Sequence, residues 1–174
     1  MPLWTNYYQG AVGYSVANAV AVEGGGNVLV TGYSATDYPN FEDYATIKYS
    51  SAGVPLWTNR YWAENYRDLA LALAVDGSGN LFVTGSSYIT NAIYSYATVA
   101  YSSAGVPLWT NCYGGEPGNQ FARAFDVAVD GSGNLFVTGY SLALGRPPSV
   151  RWTWTRPSQR DEHHLAINRQ SSRP

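Results

Sequence analysis

Apolar and polar residues alternate in short runs along most of the chain, and small polar residues separate the runs. In ALALAV, residues 70–75, three alanines share one face of a predicted strand while Leu71, Leu73 and Val75 share the other, because successive strand side chains point to opposite faces. The turn DGSGN follows at 76–80, and its Asp-Gly and Gly-Asn pairs favour tight turns. No helical periodicity of useful length interrupts this pattern, so it predicts an antiparallel meander of short strands.

The same pattern returns with a period near 50 residues. EGGGNVLVTG at 23–32 becomes DGSGNLFVTG at 76–85 and again, letter for letter, at 130–139. YATIKYSSAGVPLWTN at 44–59 becomes YATVAYSSAGVPLWTN at 96–111. A period of this length with Gly-rich turns is typical of propeller blades rather than of the shorter helical repeats.

Each period is predicted to contain four strands. The first has an alanine face, which suits a strand crowded near a central axis. The second is LFVTG, the third is YATIKY or YATVAY, and SAGVP turns the chain into the fourth, LWTN. We assign structural roles to Trp57 and Trp109 on the fourth strands and to Gly85 and Gly139 at the ends of the V-T-G phrases.

Three phrases resemble the seven-bladed β-propeller (SBBP-type) repeat of large bacterial surface or secreted proteins. They are DGSGNLFVTG, DYATIKY at 43–49 and GVPLW at 53–57, and the resemblance covers roughly residues 1–142. It implies a bacterial, extracellular or cell-surface protein with no established chemistry. The segment SSAGVPLW is similar, more loosely, to the end of quinoprotein propeller repeats.

The fold class expected is all-β: a partial β-propeller of four-stranded antiparallel blades, with about two whole blades and incomplete ones at each end. The boundaries are a partial blade at 1–10, blades at 11–62 and 63–113, and a partial blade at 114–142. Met1 stands where Val54 and Val106 stand in the later copies. We therefore expect the chain to begin inside a repeat, as a fragment of a longer protein, so its lack of a signal peptide carries little weight.

The expected partners follow from the exposed ends of such a repeat array. Each repeat buries its apolar face against the next, so the ends are exposed unless they are capped. Other blades of a parent chain, or a second copy joined through exposed blade edges, are the expected partners. The alternatives are a protein or carbohydrate ligand.

Charge divides the chain into two unlike parts. Residues 1–144 hold 10 acidic and 4 basic side chains, whereas residues 145–174 hold 6 Arg against Asp161 and Glu162. We expect the Arg/Pro-rich tail, residues 143–174, to be disordered or translated out of frame, although VRWTWT at 150–155 alternates and could add a strand. The net charge of −2 gives no reason to expect nucleic acid, and no apolar stretch is long enough to span a bilayer.

The acidic turns are a candidate metal site. They offer oxygens at alternating positions, as calcium loops do: Asp76, Ser78, Asn80, Asp130, Ser132 and Asn134. An EF-hand-type loop needs more carboxylates and a distal bidentate Glu. A hairpin turn in which Asp and Asn satisfy the local backbone is therefore favoured over calcium, and no cofactor is expected.

Other candidate residues each have a simpler interpretation. His163 and His164 could ligate a metal or serve as acid and base, but they lie in the tail, outside the repeats, and adjacent residues of an extended chain point to opposite faces. No other histidine is available for a Ser-His-Asp or Cys-His arrangement in the repeats. Cys112 has no visible base and is interpreted as an incidental thiol. Glu42 and Asp43 could suggest glycosidase chemistry, but a solvated loop is favoured.

Tyrosines in the variable loops could stack on a ligand. Tyr38, Tyr88 and Tyr94 suit sugars or peptides and equally suit packing between blades. With no catalytic constellation in view, the leading hypothesis is a non-catalytic structural or interaction module. Its alternatives are a propeller enzyme, quinoprotein-like or sugar-processing, whose active site lies on missing blades, and a calcium-stabilised binding domain.

Overall fold

The computed structural model describes residues 3–10, 13–37, 41–63, 67–90, 93–114, 119–143 and 149–155. Within these ranges the chain is all-β, as predicted, and the strands are antiparallel along each repeat. They are β1 (Ser15–Val22), β2 (Val28–Asp37), β3 (Phe41–Tyr49), β4 (Pro55–Tyr61), β5 (Asp68–Val75), β6 (Leu81–Thr90), β7 (Ile93–Tyr101), β8 (Pro107–Tyr113), β9 (Asn119–Val129), β10 (Leu135–Ala143) and β11 (Ser149–Thr155).

Each predicted repeat forms its own antiparallel sheet. Sheet 1 is β1-β2-β3-β4, sheet 2 is β5-β6-β7-β8, and sheet 3 is β9-β10-β11. A single parallel bridge between Tyr94 and Phe121 connects β7 to β9 and so joins sheets 2 and 3. The four-stranded antiparallel sheets are confirmed, and the described strands do not close into a ring.

Sheet 2 lies between the other two and is covered on both faces. One apolar cluster joins it to sheet 1 and includes Leu29, Tyr44 and Val83, with Trp57 at its margin. The other joins it to sheet 3 and includes Phe82, with Trp109 at its margin. Burial of apolar area between successive sheets is therefore the main force that holds the repeats together.

The V-T-G glycines lie where two strands approach too closely for a side chain. A Cβ on Gly85 would stand 1.9 Å from the carbonyl oxygen of Leu69, and one on Gly139 would stand 2.1 Å from that of Arg123. Both positions adjoin an irregularity in the pairing with the neighbouring first strand. Only glycine fits these positions without moving the backbone.

The sheets have two unlike ends. The turn end carries the tight connections 23–27, 50–54, 76–80, 102–106 and 130–134, where glycines with φ near +80°, such as Gly79 and Gly105, close each turn. The loop end carries the connections between β2 and β3, β4 and β5, β6 and β7, β8 and β9, and β10 and β11, which vary in length. Every strand runs from one end to the other, so equivalent residues of successive sheets lie at the same height.

The first and last described segments bear on two predicted strands. Residues 3–10 were predicted to hold a fourth strand and form none, because no third strand of the same sheet is present for them to pair with. Beyond residue 142, β11 pairs with β10 from Leu135–Thr155 to Ser141–Ser149, which confirms the strand suggested by VRWTWT. The described residues include no helix that could cross a membrane.

Candidate functional site

Charged side chains gather at the loop end of the junction between sheets 1 and 2. Glu42, at the start of β3, is fully buried. Arg67, just before β5, donates from Nε to Glu42 Oε2 at 2.6 Å and from Nη2 to Oε1 at 2.6 Å. The Tyr14 hydroxyl also donates to Oε1. Burial alone would raise the pKa of Glu42, but these hydrogen bonds outweigh it and lower that pKa below its usual value.

Asp43 points to the other side of the same strand and has its own cation. Arg60 on β4 lies 3.2 Å from the Asp43 carboxylate and donates to the carbonyl of Ser34 at 2.9 Å. The prediction that Glu42 and Asp43 lie on a solvated loop is wrong. Both lie near the start of β3, are buried and are ion-paired, because Arg60 on β4 and Arg67 just before β5 reach them. The glycosidase interpretation gains nothing, since both oxygens of Glu42 are already occupied.

Asp68, the first residue of β5, is the third carboxylate at this junction. It is fully buried, and its Oδ2 accepts the backbone N–H of Ala63 at 2.8 Å. Burial raises the pKa of Asp68 to about 6 from an ordinary value of 3.8. This carboxyl therefore changes charge between weakly acidic and neutral pH, at a buried position between sheets 1 and 2.

The equivalent positions at the next junction carry no charge, and two of the three are aromatic. Tyr94 replaces Glu42, Phe121 replaces Arg67 and Ala122 replaces Asp68. The rings of Tyr94 and Phe121 lie 4.5 Å apart, and Tyr88 and Tyr140 extend the cluster at 4.7 and 5.6 Å. Of the two interpretations left open for Tyr88 and Tyr94, packing between repeats is the one seen. Tyr38 lies outside the described residues.

At the turn end, the fourth strand of sheet 1 contacts sheet 2 through a tryptophan and an asparagine. Trp57 Nε1 donates to the carbonyl of Ser103 at 3.3 Å, and Asn59 Nδ2 donates to that of Gly105 at 2.7 Å. The Trp57 ring lies so close that a Cβ on Gly105 would stand 2.8 Å from it. We call this pair of hydrogen bonds the Trp–Asn contact.

The N-terminal segment repeats the Trp–Asn contact on sheet 1. Trp4 donates to the carbonyl of Ser51 at 3.1 Å and Asn6 donates to that of Gly53 at 2.6 Å. Between this segment and sheet 1 runs a groove of about 240 Å³ whose lining includes Val30 and Ile47. The equivalent face of sheet 2 is covered by sheet 1, whereas no other sheet among the described residues covers this face of sheet 1.

The acidic turns are organised by their own backbone. Asp76 Oδ1 accepts the N–H groups of Ser78 and Asn80 at 2.8 and 2.9 Å, while Oδ2 accepts Asn80 Nδ2 at 2.8 Å. Asp130, Ser132 and Asn134 form the same arrangement in sheet 3. The hydrogen bond from Asn134 lowers the pKa of Asp130. This geometry is the hairpin turn that the sequence favoured over calcium.

The other candidate residues do not converge on a site. Cys112 lies 3.7 Å from the Tyr61 hydroxyl, and burial raises the pKa of its thiol, which lowers its reactivity. His163 and His164 lie outside the described residues. Within the part of the chain that the structure describes, no three His, Cys, Asp or Glu side chains are grouped closely enough to hold a metal ion.

Two elements of these junctions were missed in the sequence. In all three copies of LWTN an asparagine follows two residues after the tryptophan, and this repetition was the available signal for the Trp–Asn contact. Arg67 occurs in a single repeat, so nothing in the periodicity pointed to it. Comparison of the chain with the models of protein families and with curated proteins found no match in either case.

Proposed function

We propose that this chain is a non-catalytic structural and interaction module, a segment of a β-propeller repeat protein of the bacterial surface or secreted class. The observation that carries the proposal is the Trp–Asn contact. It occurs twice among the described residues, each time between a fourth-strand sequence and the S-A-G turn of the following sheet. A chain that repeats one docking contact is organised to stack sheets.

The charged junction supports the same role. A catalytic carboxylate needs an oxygen that is free to meet substrate, whereas Glu42 is held by Arg67 and Tyr14. The cluster binds sheet 1 to sheet 2. The module's available surface is therefore the groove on sheet 1, and its natural occupant is another sheet of the same kind.

The test is to supply that sheet. Residues 63–106, which carry β5, β6, β7 and the following turn, are joined in frame before Pro2, so that residues 2–8 become the fourth strand of an added repeat. We expect a higher melting temperature in circular dichroism and slower hydrogen exchange in β1–β3, because the added sheet covers the groove.

The control is the same extension carrying Trp4→Ala and Asn6→Ala, which removes the Trp–Asn contact and is expected to lose most of the gain. If the added residues exchange as an unfolded chain and sheet 1 exchanges as before, the groove is not a docking site for a repeat and the proposal fails.

A further inference from the structure

We propose that two copies of this chain associate head to tail, with residues 3–8 of each copy serving as the fourth strand of sheet 3 in the other. The inference rests on the proposed function and identifies a second copy of the chain as the partner. The first observation is the number of strands in each sheet. Sheets 1 and 2 have four strands each, whereas sheet 3, as far as the structure describes it, has three, with β11 at its edge.

Residues 3–8 have the sequence of a fourth strand, which is not among the described strands of sheet 3. They read LWTNYY, against LWTNRY in β4 and LWTNCY in β8. Both of those strands pair antiparallel with the third strand of their sheet, the place that β11 holds in sheet 3. Trp4 and Asn6 already make the fourth-strand contact to sheet 1, although residues 3–8 pair with no strand among the described residues.

The two outer faces of the molecule are complementary. On sheet 3, Phe136 is 41% exposed, although Phe82, its equivalent in sheet 2, is 2% exposed. On sheet 1, Val20 and Val22 are 65% and 64% exposed, whereas their equivalents, Leu73 and Val75, pack against the cluster between sheets 1 and 2. Sheet 3 of one copy placed on sheet 1 of another would bury both sets, as each internal junction does.

Ring closure fixes the number of copies. Each copy, once its third sheet is completed, contributes three four-stranded sheets. Propellers close with about four to eight such sheets, so two copies give an allowed ring of six and three copies exceed the range. A head-to-tail contact that closes after two copies gives a dimer rather than a growing filament.

The strand register gives a test by disulfide formation. Val137 pairs with Thr153 as Val83 pairs with Val99, and Val99 pairs with Thr110, the equivalent of Thr5. Thr5 of one copy should therefore lie opposite Thr153 of the other, within the Cα separation of about 4.4–6.8 Å that a disulfide requires. With Cys112→Ser as background, the pair Thr5→Cys and Thr153→Cys should form an intermolecular bond, and either cysteine alone should not.

The native chain should sediment at twice its mass of 18.9 kDa. Phe136→Ser should raise the dimer dissociation constant by at least about tenfold, because it removes apolar area from the contact. Leu108→Ser, at a position on β8 of the middle sheet that is 50% exposed, should leave that constant unchanged.

Two results would overturn the dimer. A native chain that remains monomeric at high concentration, with the cysteine pair unlinked, excludes the association, and open-ended growth with concentration excludes ring closure. Either result leaves the proposed function standing if the chain extended by residues 63–106 is still stabilised. If that extension also fails to pack, both proposals fall.

Discussion

The two junctions of this molecule share a close contact between a glycine and a tyrosine but differ at the loop end. Between sheets 1 and 2 the loop end holds Glu42 clamped by Arg67, whereas between sheets 2 and 3 Tyr94 lies against Phe121 at the same two positions. The strand pairing around them is equivalent. An ion pair and an aromatic pair thus do the same structural task, so the loop-end chemistry can vary while the sheet stacking is kept.

The conserved part of both junctions includes the V-T-G glycines and a tyrosine from the preceding sheet. A Cβ on Gly85 would stand 2.9 Å from the Tyr44 hydroxyl, and one on Gly139 would stand 2.7 Å from that of Tyr96. Tyr44 itself donates to the carbonyl of Ala97 at 3.1 Å across the junction. The shared features can therefore be tested separately from the variable ones.

The largest effect is expected from Gly85→Ala and Gly139→Ala. Each methyl group would overlap a backbone carbonyl oxygen, so a strand must move, and we expect the free energy of unfolding to fall by about 3 kcal/mol or more. Urea denaturation followed by tryptophan fluorescence measures it. Gly77→Ala, which meets open space, should cost less than about 0.5 kcal/mol. A small cost at either V-T-G glycine would show that the two junctions do not share this contact.

The sequence could predict the local hairpins of each sheet but not the ion pair between sheets. The strands, their order and the turns followed from alternation and repetition, because hairpin geometry is encoded locally in DGSGN and SAGVP. The ion pair of Glu42 and Arg67 could not be predicted, because the two residues belong to different sheets and occur in one repeat only. Their burial depends on how the sheets stack, which is a property of tertiary packing.

The second prediction converts one junction into the other. Arg67→Phe alone leaves the buried Glu42 without its cation and should cost about 2–3 kcal/mol, less than a fully buried pair, because the Arg67 side chain is 55% exposed. Adding Glu42→Tyr rebuilds the aromatic pair and should recover most of that loss.

A double-mutant cycle in urea measures the coupling between these two positions. Tyr94→Leu and Phe121→Leu provide the matched cycle at the other junction. If the double variant is no more stable than Arg67→Phe alone, then the two loop ends are not interchangeable.

The third prediction concerns pH, which should affect only the first junction. Asp68 has a pKa of about 6 when folded and near 3.8 when unfolded, so folding favours its protonated form. The protein is therefore most stable, with respect to this group, below pH 4 and loses that stability as the pH rises through 6. Asp68→Asn should stabilise the protein by about 1–3 kcal/mol at pH 8.

The same variant at pH 4 is the control, because Asp68 is then largely protonated in the native protein and the substitution should have little effect. Ala122, at the equivalent position of the next junction, shows that this place in the fold does not require a carboxylate. An equal stabilisation at both pH values would mean that burial of the ionised Asp68 carboxylate is not what lowers the free energy of unfolding.

The smallest effect is expected from salt. Raising ionic strength to about 1 M shortens the screening length to about 3 Å, but the Glu42 carboxylate is buried and already hydrogen-bonded by Arg67 and Tyr14. We therefore expect the ionic junction to lose less than about 1 kcal/mol of the free energy of unfolding.

Hydrophobic contacts strengthen in salts that are excluded from protein surfaces, so the Glu42→Tyr and Arg67→Phe double variant should lose less stability than the native chain. Thermal melts of both proteins across the salt series measure the difference. Parallel salt slopes would mean that Glu42 and Arg67 act through packing and hydrogen bonding alone, which would make the ionic and aromatic junctions physically closer than their sequences suggest.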